Sequence, residues 1–94
     1  MKFQLRDHTI EEGHLDDFVR EWREHVLPLR VAMGFNILGP WIDRETSRFI
    51  LIVGFDGDFV AAGGLYRASS EQQAIDPDPA RFITETRRTW LEAP

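Results

Sequence analysis

Three segments of the chain have the hydrophobic pattern of β-strands. Residues 2–9 alternate between two sides of an extended backbone, which is the period of a strand. Residues 35–43 favour a second strand with a bend near Gly39, and residues 43–47 have the composition of a hairpin turn. Residues 48–55 are apolar on both sides, which is typical of a strand covered on both faces.

The long segment between the first two strands has a helical period instead. Its apolar residues recur at steps of three and four, so they share one helix face. Pro28 interrupts this face and Gly34 follows it, which predicts a helix kinked at the proline and ended at the glycine. Residues 59–66 predict a second, short helix with Asp58 as its N-cap. The residues of the first helix face are Leu15, Phe18, Val19, Trp22, Val26, Leu29 and Met33.

The C-terminal part of the chain fits two patterns. Residues 69–79 are polar and contain two Asp-Pro steps, which predicts an exposed loop. Residues 81–91 fit either a strand or a helix, and three threonines in this segment favour the strand. The predicted order is β-α-β-β-α-β, an α+β ferredoxin-like domain over residues 1–94 with an antiparallel four-stranded sheet.

The strand at residues 48–55 also predicts a homodimer. A chain of 94 residues can build one small core, and its two predicted helices cover one side of the sheet. Ile50 and Ile52 would then face water on the other side. We therefore expect a second copy of the chain to supply the missing cover.

Composition excludes several classes of function. The formal net charge is −5, from 16 acidic and 11 basic residues, which argues against a nucleic-acid partner. Cysteine is absent, which excludes disulfides, thiolate catalysis and cysteine-based metal sites and is compatible with a reducing cytoplasm. We expect neither a signal peptide nor a transmembrane segment, because no apolar run is long enough.

Short motifs spread over nearly the whole chain carry a resemblance to a known family. They are Gln4-Leu5-Arg6, Gly13, Trp22, His25-Val26-Leu27-Pro28-Leu29, Gly34-Phe35, Gly39-Pro40-Trp41 and Asp78-Pro79-Ala80-Arg81. In this order and spacing they resemble the NIPSNAP family, within the dimeric α/β-barrel group. The resemblance implies two four-stranded sheets packed into a barrel across a dimer. It leaves the activity open, since some relatives are cofactor-free monooxygenases, isomerases or haem-degrading enzymes and NIPSNAP proteins have no settled chemistry.

Two residues are candidates for proton transfer. His25 lies at the edge of the apolar helix face, where it could move a proton or, as in haem-binding relatives, act as an axial ligand. The alternative for His25 is a half-buried, hydrogen-bonded residue at the flank of the helix. Asp7 shares its side of the first strand with Phe3 and Leu5, which we expect to face the helix, so it could act as a general base. The alternative for Asp7 is the solvated rim of a strand that is ending.

Four aromatic residues could line a pocket for a flat aromatic or polyketide-like ligand. Trp22, Phe35, Trp41 and Tyr66 form this set, and the alternative is that they are simply core residues.

Arg6, His8 and Asn36 form a separate polar set, which we expect on the barrel side, facing the partner sheet. There they could bind an anionic ligand or form a structural polar network between subunits. His8 also departs from the resemblance, which implies an aromatic residue at this position.

No metal or cofactor motif is present in the sequence, so none is predicted. The leading hypothesis is a NIPSNAP-like homodimer of unassigned activity that binds a small ligand between helices and sheet. A cofactor-free monooxygenase or isomerase acting on an aromatic or polyketide-type compound is the alternative. Haem binding through His25 is a third hypothesis.

Overall fold

The computed structural model describes all of residues 1–94 and places four strands in one antiparallel sheet. The strands are β1 (Lys2–Ile10), β2 (Asn36–Asp43), β3 (Arg48–Phe55) and β4 (Ile83–Leu91). The helices are α1 (Leu15–Glu21), α2 (Leu27–Ala32), α3 (Phe59–Ala68) and α4 (Ser70–Gln73), with a π-helical segment at Trp22–Val26 and a 3-10 turn at Pro79–Phe82.

The strand order in the sheet is β2-β3-β1-β4, so the two central strands are β3 and β1. Each neighbouring pair is antiparallel. This confirms the predicted β-α-β-β-α-β order, and the ambiguous last segment is a strand. None of the helices combines the length and the apolar composition of a membrane span.

The predicted kink in the first helix takes the form of the π-helical segment. Pro28 has no N–H to donate to the carbonyl of Glu24, and its ring crowds that carbonyl. The preceding turn is wider than an α-helical turn, because the N–H of Leu27 donates to the carbonyl of Trp22, five residues back. The helix ends as predicted before Gly34, which has the left-handed φ of 91°.

The core lies between the helices and one face of the sheet. Phe49 is fully buried at its centre, with the rings of Phe18 and Trp22 edge-on at centroid distances of 4.9 and 5.0 Å. Burial of a phenylalanine side chain stabilises the fold by about 2–3 kcal/mol. The same face of β3 contributes Leu51 and Val53 to this core.

The register of β1 against β3 corrects the predicted orientation of β1. His8 lies opposite Phe49 and Arg6 lies opposite Leu51, so both polar residues face the helices. Asp7 lies opposite Ile50, on the other face. The prediction was wrong because it placed the apolar side of β1 against the helices. In the structure Phe49, Leu51 and Val53 of β3 belong to the core, so the β1 residues paired with them face the helices.

The other face of the sheet has no layer of the chain upon it, and we call it the open face. Its central rows are Leu5–Ile52–Leu38 and Asp7–Ile50–Trp41, read across β1, β3 and β2. Asn36 also lies here, on the predicted side, opposite Gly54.

The predicted exposed loop before β4 contains structure. It folds into α4 and the 3-10 turn, and Pro79 is fully buried. Side chains of this segment cover one end of the space between helices and sheet, where Gln72, Ile75 and Asp78 line a cavity.

Candidate ligand-binding site

A cavity of about 210 Å³ lies between the helix layer and the sheet. Ten of its 18 lining residues are hydrophobic, and they include Trp22 and Tyr66 from the helices and Leu51 and Val53 from β3. A largely apolar cavity with a few convergent polar groups is typical of small-molecule sites. The charged groups of the lining therefore decide which ligands fit.

Four arginines line this cavity against a single carboxylate. Arg6 comes from β1, Arg30 from α2, Arg67 from α3 and Arg88 from β4, and the carboxylate belongs to Asp78. The whole chain has a net charge of −5, so this concentration of positive charge is opposite in sign to the rest of the molecule. Arg6 and Arg30 are half-buried, whereas Arg67 and Arg88 are exposed.

The guanidinium of Arg30 lies over two aromatic rings and has one nitrogen without a partner. Its central carbon lies 3.6 Å from the centroid of the Tyr66 ring and 4.8 Å from that of Phe35. The Nη1 atom is buried and has no hydrogen-bond partner. Burial lowers the pKa of Arg30, since the charged form is desolvated. A buried donor on a cation normally has an acceptor, so this guanidinium, which belongs to the lining of the cavity, has unfilled hydrogen-bonding capacity.

Arg6 is held in place by the buried amide of Gln4. Its Nε atom donates a hydrogen bond to Gln4 Oε1 at 2.9 Å, and Gln4 is itself 6% exposed. Burial, followed by the positive charges of Arg30, Arg88 and Arg67, lowers the pKa of Arg6 to about 10. Arg6 remains charged at pH 7 and is destabilised there by its neighbours, which an anion would relieve.

His8 also lines the cavity, from the same strand as Arg6 and two residues further along the chain. Its Nδ1 atom lies 2.8 Å from Thr86 Oγ1. Burial, followed by the positive charges of Arg6 and Arg88, lowers the pKa of His8 to about 4. The imidazole is therefore neutral at pH 7.

A shallow groove between α3 and β4 continues the positive lining to the surface. Arg6, Arg67 and Arg88 line both the groove and the cavity, and the groove is walled by Phe59 and Trp90. A row of like charges at an entrance attracts ligands of opposite charge and raises their rate of association.

The structure brings some of the predicted site residues together in this cavity. Trp22 and Tyr66 line it, and so do Arg6 and His8, although these two were predicted on the other side of the sheet. Phe35 is a core residue behind Tyr66, with ring centroids 6.4 Å apart.

The remaining predicted residues lie elsewhere. Trp41 and Asn36 are on the open face, where Trp41 is 55% exposed. The side chain of His25 is 51% exposed beside Glu24, with 3.7 Å between its Nε2 atom and a carboxylate oxygen. Asp7 is on the open face, where Oδ2 accepts a hydrogen bond from Arg48 at 3.0 Å. His25 and Asp7 thus meet neither each other nor the cavity.

The placement of His25 also bears on the haem hypothesis. An axial ligand has to present its ring to an enclosed, apolar face of the macrocycle. His25 instead points to solvent from the π-helical segment, so the residues present do not fit a haem bound at this position. No group of three or more His, Asp or Glu side chains is arranged to hold a metal ion.

Sequence reasoning missed three of the four cavity arginines. Arg30 had a usable signal, because Trp22, Val26 and Arg30 follow one another at four-residue steps and so share the apolar helix face. Arg67 and Arg88 had no such signal. Their approach to Arg6 depends on how α3 and β4 pack against β1.

Comparison with known proteins supports the fold. No family model matches the sequence, and no curated protein is similar to it at the level of sequence. Among solved structures, an uncharacterised NIPSNAP domain protein from Burkholderia xenovorans has a TM-score of 0.86 at 15% identity, over 100% of this chain and 95% of that one. A NIPSNAP family protein from Agrobacterium tumefaciens has a TM-score of 0.87 at 18% identity, over 97% and 90%.

A more distant structure is a putative antibiotic biosynthesis monooxygenase from Nitrosomonas europaea. Its TM-score is 0.72 at 8% identity, over 98% of this chain and 88% of that one. The chain therefore has the fold of NIPSNAP proteins, which confirms the resemblance seen in the sequence at the level of fold. Its activity is unassigned, since likeness at these identities carries no function.

Proposed function

We propose that this protein is a homodimer that binds a small organic anion, a carboxylate, in the cavity between its helices and its sheet. The observation that carries the proposal is the excess of four arginines over one carboxylate in the lining of that cavity. The buried Nη1 of Arg30, which has no hydrogen-bond partner, adds to this unbalanced charge.

The chemistry of the lining favours an organic ligand over an inorganic ion. The guanidinium fork matches the two oxygens of a carboxylate and can hold it through two parallel hydrogen bonds. The walls beside Arg30 are aromatic and aliphatic, from Trp22, Tyr66 and Leu51. A ligand with a flat apolar body would bury that surface while its carboxylate meets the arginines.

The open face supports the dimeric part of the proposal. Leu38 is 49% exposed and Trp41 is 55% exposed, and both lie beside the isoleucines of β3. The molecule is flat, with extents of 37 × 37 × 18 Å, as expected when one side of a sheet has a cover and the other has none. A second copy placed on this face would bury the apolar rows of both chains.

Binding of benzoate, with benzamide as its uncharged match, tests the anion site. We expect isothermal titration calorimetry to detect benzoate and to show at least tenfold weaker binding of benzamide. Replacing Arg30 with Met keeps the stem but removes the charge, and should weaken benzoate binding tenfold or more, since a charged hydrogen bond contributes about 1.5–3 kcal/mol. Arg20→Met is the matched control, because Arg20 is 58% exposed and lies on the outer surface of α1.

Equal binding of benzoate and benzamide, or unchanged benzoate binding in Arg30→Met, would contradict an anion site at the arginines. Light scattering during size-exclusion chromatography tests the dimer independently. A monomer at micromolar concentration would contradict that part of the proposal.

A further inference from the structure

His8 belongs to a close group of four residues on the helix side of β1 and β4. In the antiparallel register, Thr86 lies opposite His8 and Arg88 lies opposite Arg6. Side chains directly opposite each other start about 4.5–5.5 Å apart, and diagonal neighbours about 7–8 Å apart. A ligand oxygen held between Arg6 and Arg88 would therefore lie on the same side of the sheet as His8, in the cavity that all three residues line.

The two ring nitrogens of His8 have different environments. Nδ1 is engaged with the hydroxyl of Thr86. Nε2 makes no hydrogen bond within the protein and is not sealed from solvent, and His8 lines the cavity. When Nδ1–H donates to Thr86 Oγ1, the lone pair of Nε2 is free. A neutral imidazole oriented in this way is equipped to accept a proton.

We propose that His8 is a catalytic base that removes a proton from the carbon beside the ketone of a bound oxo acid. This inference deepens the anion-binding function proposed above and rests on it. The C–H bond of the ligand breaks, its proton goes to Nε2 of His8, and its electron pair forms a carbon–carbon double bond. The π electrons of the ketone move to its oxygen, which becomes an enolate. Return of the proton to the same carbon gives exchange, and its return to another carbon of a conjugated ligand gives an isomer.

The charge of the cavity supports a reaction in which negative charge grows on the ligand. Counted as charges, Asp78 and one ligand carboxylate offset two of the four arginines of the lining, so a net positive charge remains for an enolate oxygen. Positive groups fixed in place before the reaction stabilise such an oxyanion without reorganisation. No oxidant, reductant or metal takes part in this step.

A bound carboxylate should also change the pKa of His8. Arg6 on β1 and Arg88 on β4 lower the pKa of His8, while Asp7, on the opposite face of β1, raises it. The other rings beside His8, Phe18 of α1 and Phe49 of β3, carry no charge. A carboxylate bound at the arginines offsets their repulsion, so the pKa of His8 rises on binding and the ring becomes a stronger base.

Deuterium exchange into 2-oxobutyrate tests the proposal. Proton NMR in D₂O follows loss of the C3 protons, with the protein-free rate subtracted. We expect the wild type to accelerate the exchange and His8→Gln to lower that acceleration about 100-fold, the contribution of a general base. The thermal shift caused by 2-oxobutyrate should stay within about twofold of the wild-type shift, because the arginines are intact.

Two further variants, His8→Ala and Thr86→Val, test the role of the imidazole and of its hydroxyl partner. Added imidazole should restore exchange in His8→Ala, which keeps the test valid where the glutamine variant folds poorly. Thr86 is a positioning residue, so Thr86→Val should lower the rate of exchange and move its pH profile. The acid limb of kcat should lie at higher pH than that of kcat/KM, because kcat reports the ligand-bound state.

The possible failures are distinguishable. Binding of 2-oxobutyrate without exchange, or undiminished exchange in His8→Gln, overturns the role of His8 and leaves the anion site standing. Absence of binding by both 2-oxobutyrate and benzoate overturns the anion site and this inference together.

Discussion

The two faces of the sheet both carry charged side chains among apolar ones, but they balance them differently. On the helix side, Arg6 and Arg30 are half-buried, and one carboxylate stands against the four arginines of the cavity. On the open face, Arg48 donates to Asp7 at 3.0 Å and contacts Asp43 at 3.5 Å. On the open face Asp7, Arg48 and Asp43 are thus paired within the chain, although Asp7 Oδ1 is buried without a hydrogen-bond partner, and apolar area is left uncovered.

This difference separates two kinds of missing partner. Uncompensated charge beside a cavity of limited volume calls for a small ion, whereas uncovered apolar area across a whole sheet calls for another protein surface. Each of the following changes affects one face and should leave the other undisturbed.

The largest effect is expected from Ile52→Lys on the open face. Ile52 lies between Leu5 and Leu38 in the sheet, so a charge there would be buried between two copies. We expect complete loss of the dimer at micromolar concentration by analytical ultracentrifugation, with the circular dichroism of the fold retained. Val60→Lys is the control, since Val60 is 68% exposed on α3 and should leave the dimer intact. A dimeric Ile52→Lys variant would place the interface elsewhere.

Acid pH should lower the stability of the protein through His8, on the helix side of the sheet. The pKa of His8 is lowered to about 4 in the folded chain from an ordinary 6.5, so the unfolded chain binds its proton first as pH falls. Stability should therefore fall between pH 6.5 and 4, by at most about 3 kcal/mol from this residue. Urea unfolding of the wild type and His8→Gln across this range measures the difference. Parallel curves for the two proteins would contradict the burial of a neutral His8.

Removing the cavity charge should stabilise the protein without ligand. Arg30→Met eliminates a half-buried cation with an unpartnered nitrogen and also the contact of its guanidinium with the Tyr66 ring, and we expect the desolvation of the cation to outweigh that contact. We expect the free energy of unfolding to rise by about 1 kcal/mol. Urea unfolding checks this, with Arg20→Met expected to leave stability unchanged. A loss of stability in Arg30→Met would make the arginine a structural residue.

The smallest effect on stability is expected from Asp7→Asn, which should destabilise the protein. The variant loses the ion pair between Asp7 and Arg48, whose side chains are 18% and 39% exposed, respectively. Loss of this pair should lower the free energy of unfolding by about 1 kcal/mol or less. Benzoate binding should not change, because Asp7 lies outside the cavity. Asp16→Asn is the control at an exposed pair with Arg44 and should cause no measurable change. Loss of benzoate binding in Asp7→Asn would restore a functional role for this carboxylate.

Local patterns were sufficient for most of the fold. The strand at residues 48–55 was predicted with the bounds that the structure has, because its continuous apolar run ends at turn residues on both sides. Pro28 and Gly34 likewise marked the disturbance and the end of the first helix, since their effects on the backbone are local.

The candidate site was less accessible to sequence reasoning. Trp22 and Tyr66 were identified as ligand-binding candidates because large aromatic residues at helical spacing stand out. An ideal helical period predicted His25 at the edge of the apolar helix face, whereas the structure has a wider π-helical segment there and an exposed His25. Arg67 and Arg88 occupy ordinary polar positions in the sequence, and no local pattern indicated that they line one cavity.

The sequence by itself determined the elements, their order and the two apolar sides of β3, because these depend on hydrophobic period and turn chemistry. Only the tertiary structure decided which side of β1 faces the helices. Alternation divides a strand into two sides without saying which is inside, and the pairing of His8 with Phe49 and of Asp7 with Ile50 settles it. The arginine cavity has the same origin, since residues 6, 30, 67 and 88 meet only when four elements distant in sequence pack together.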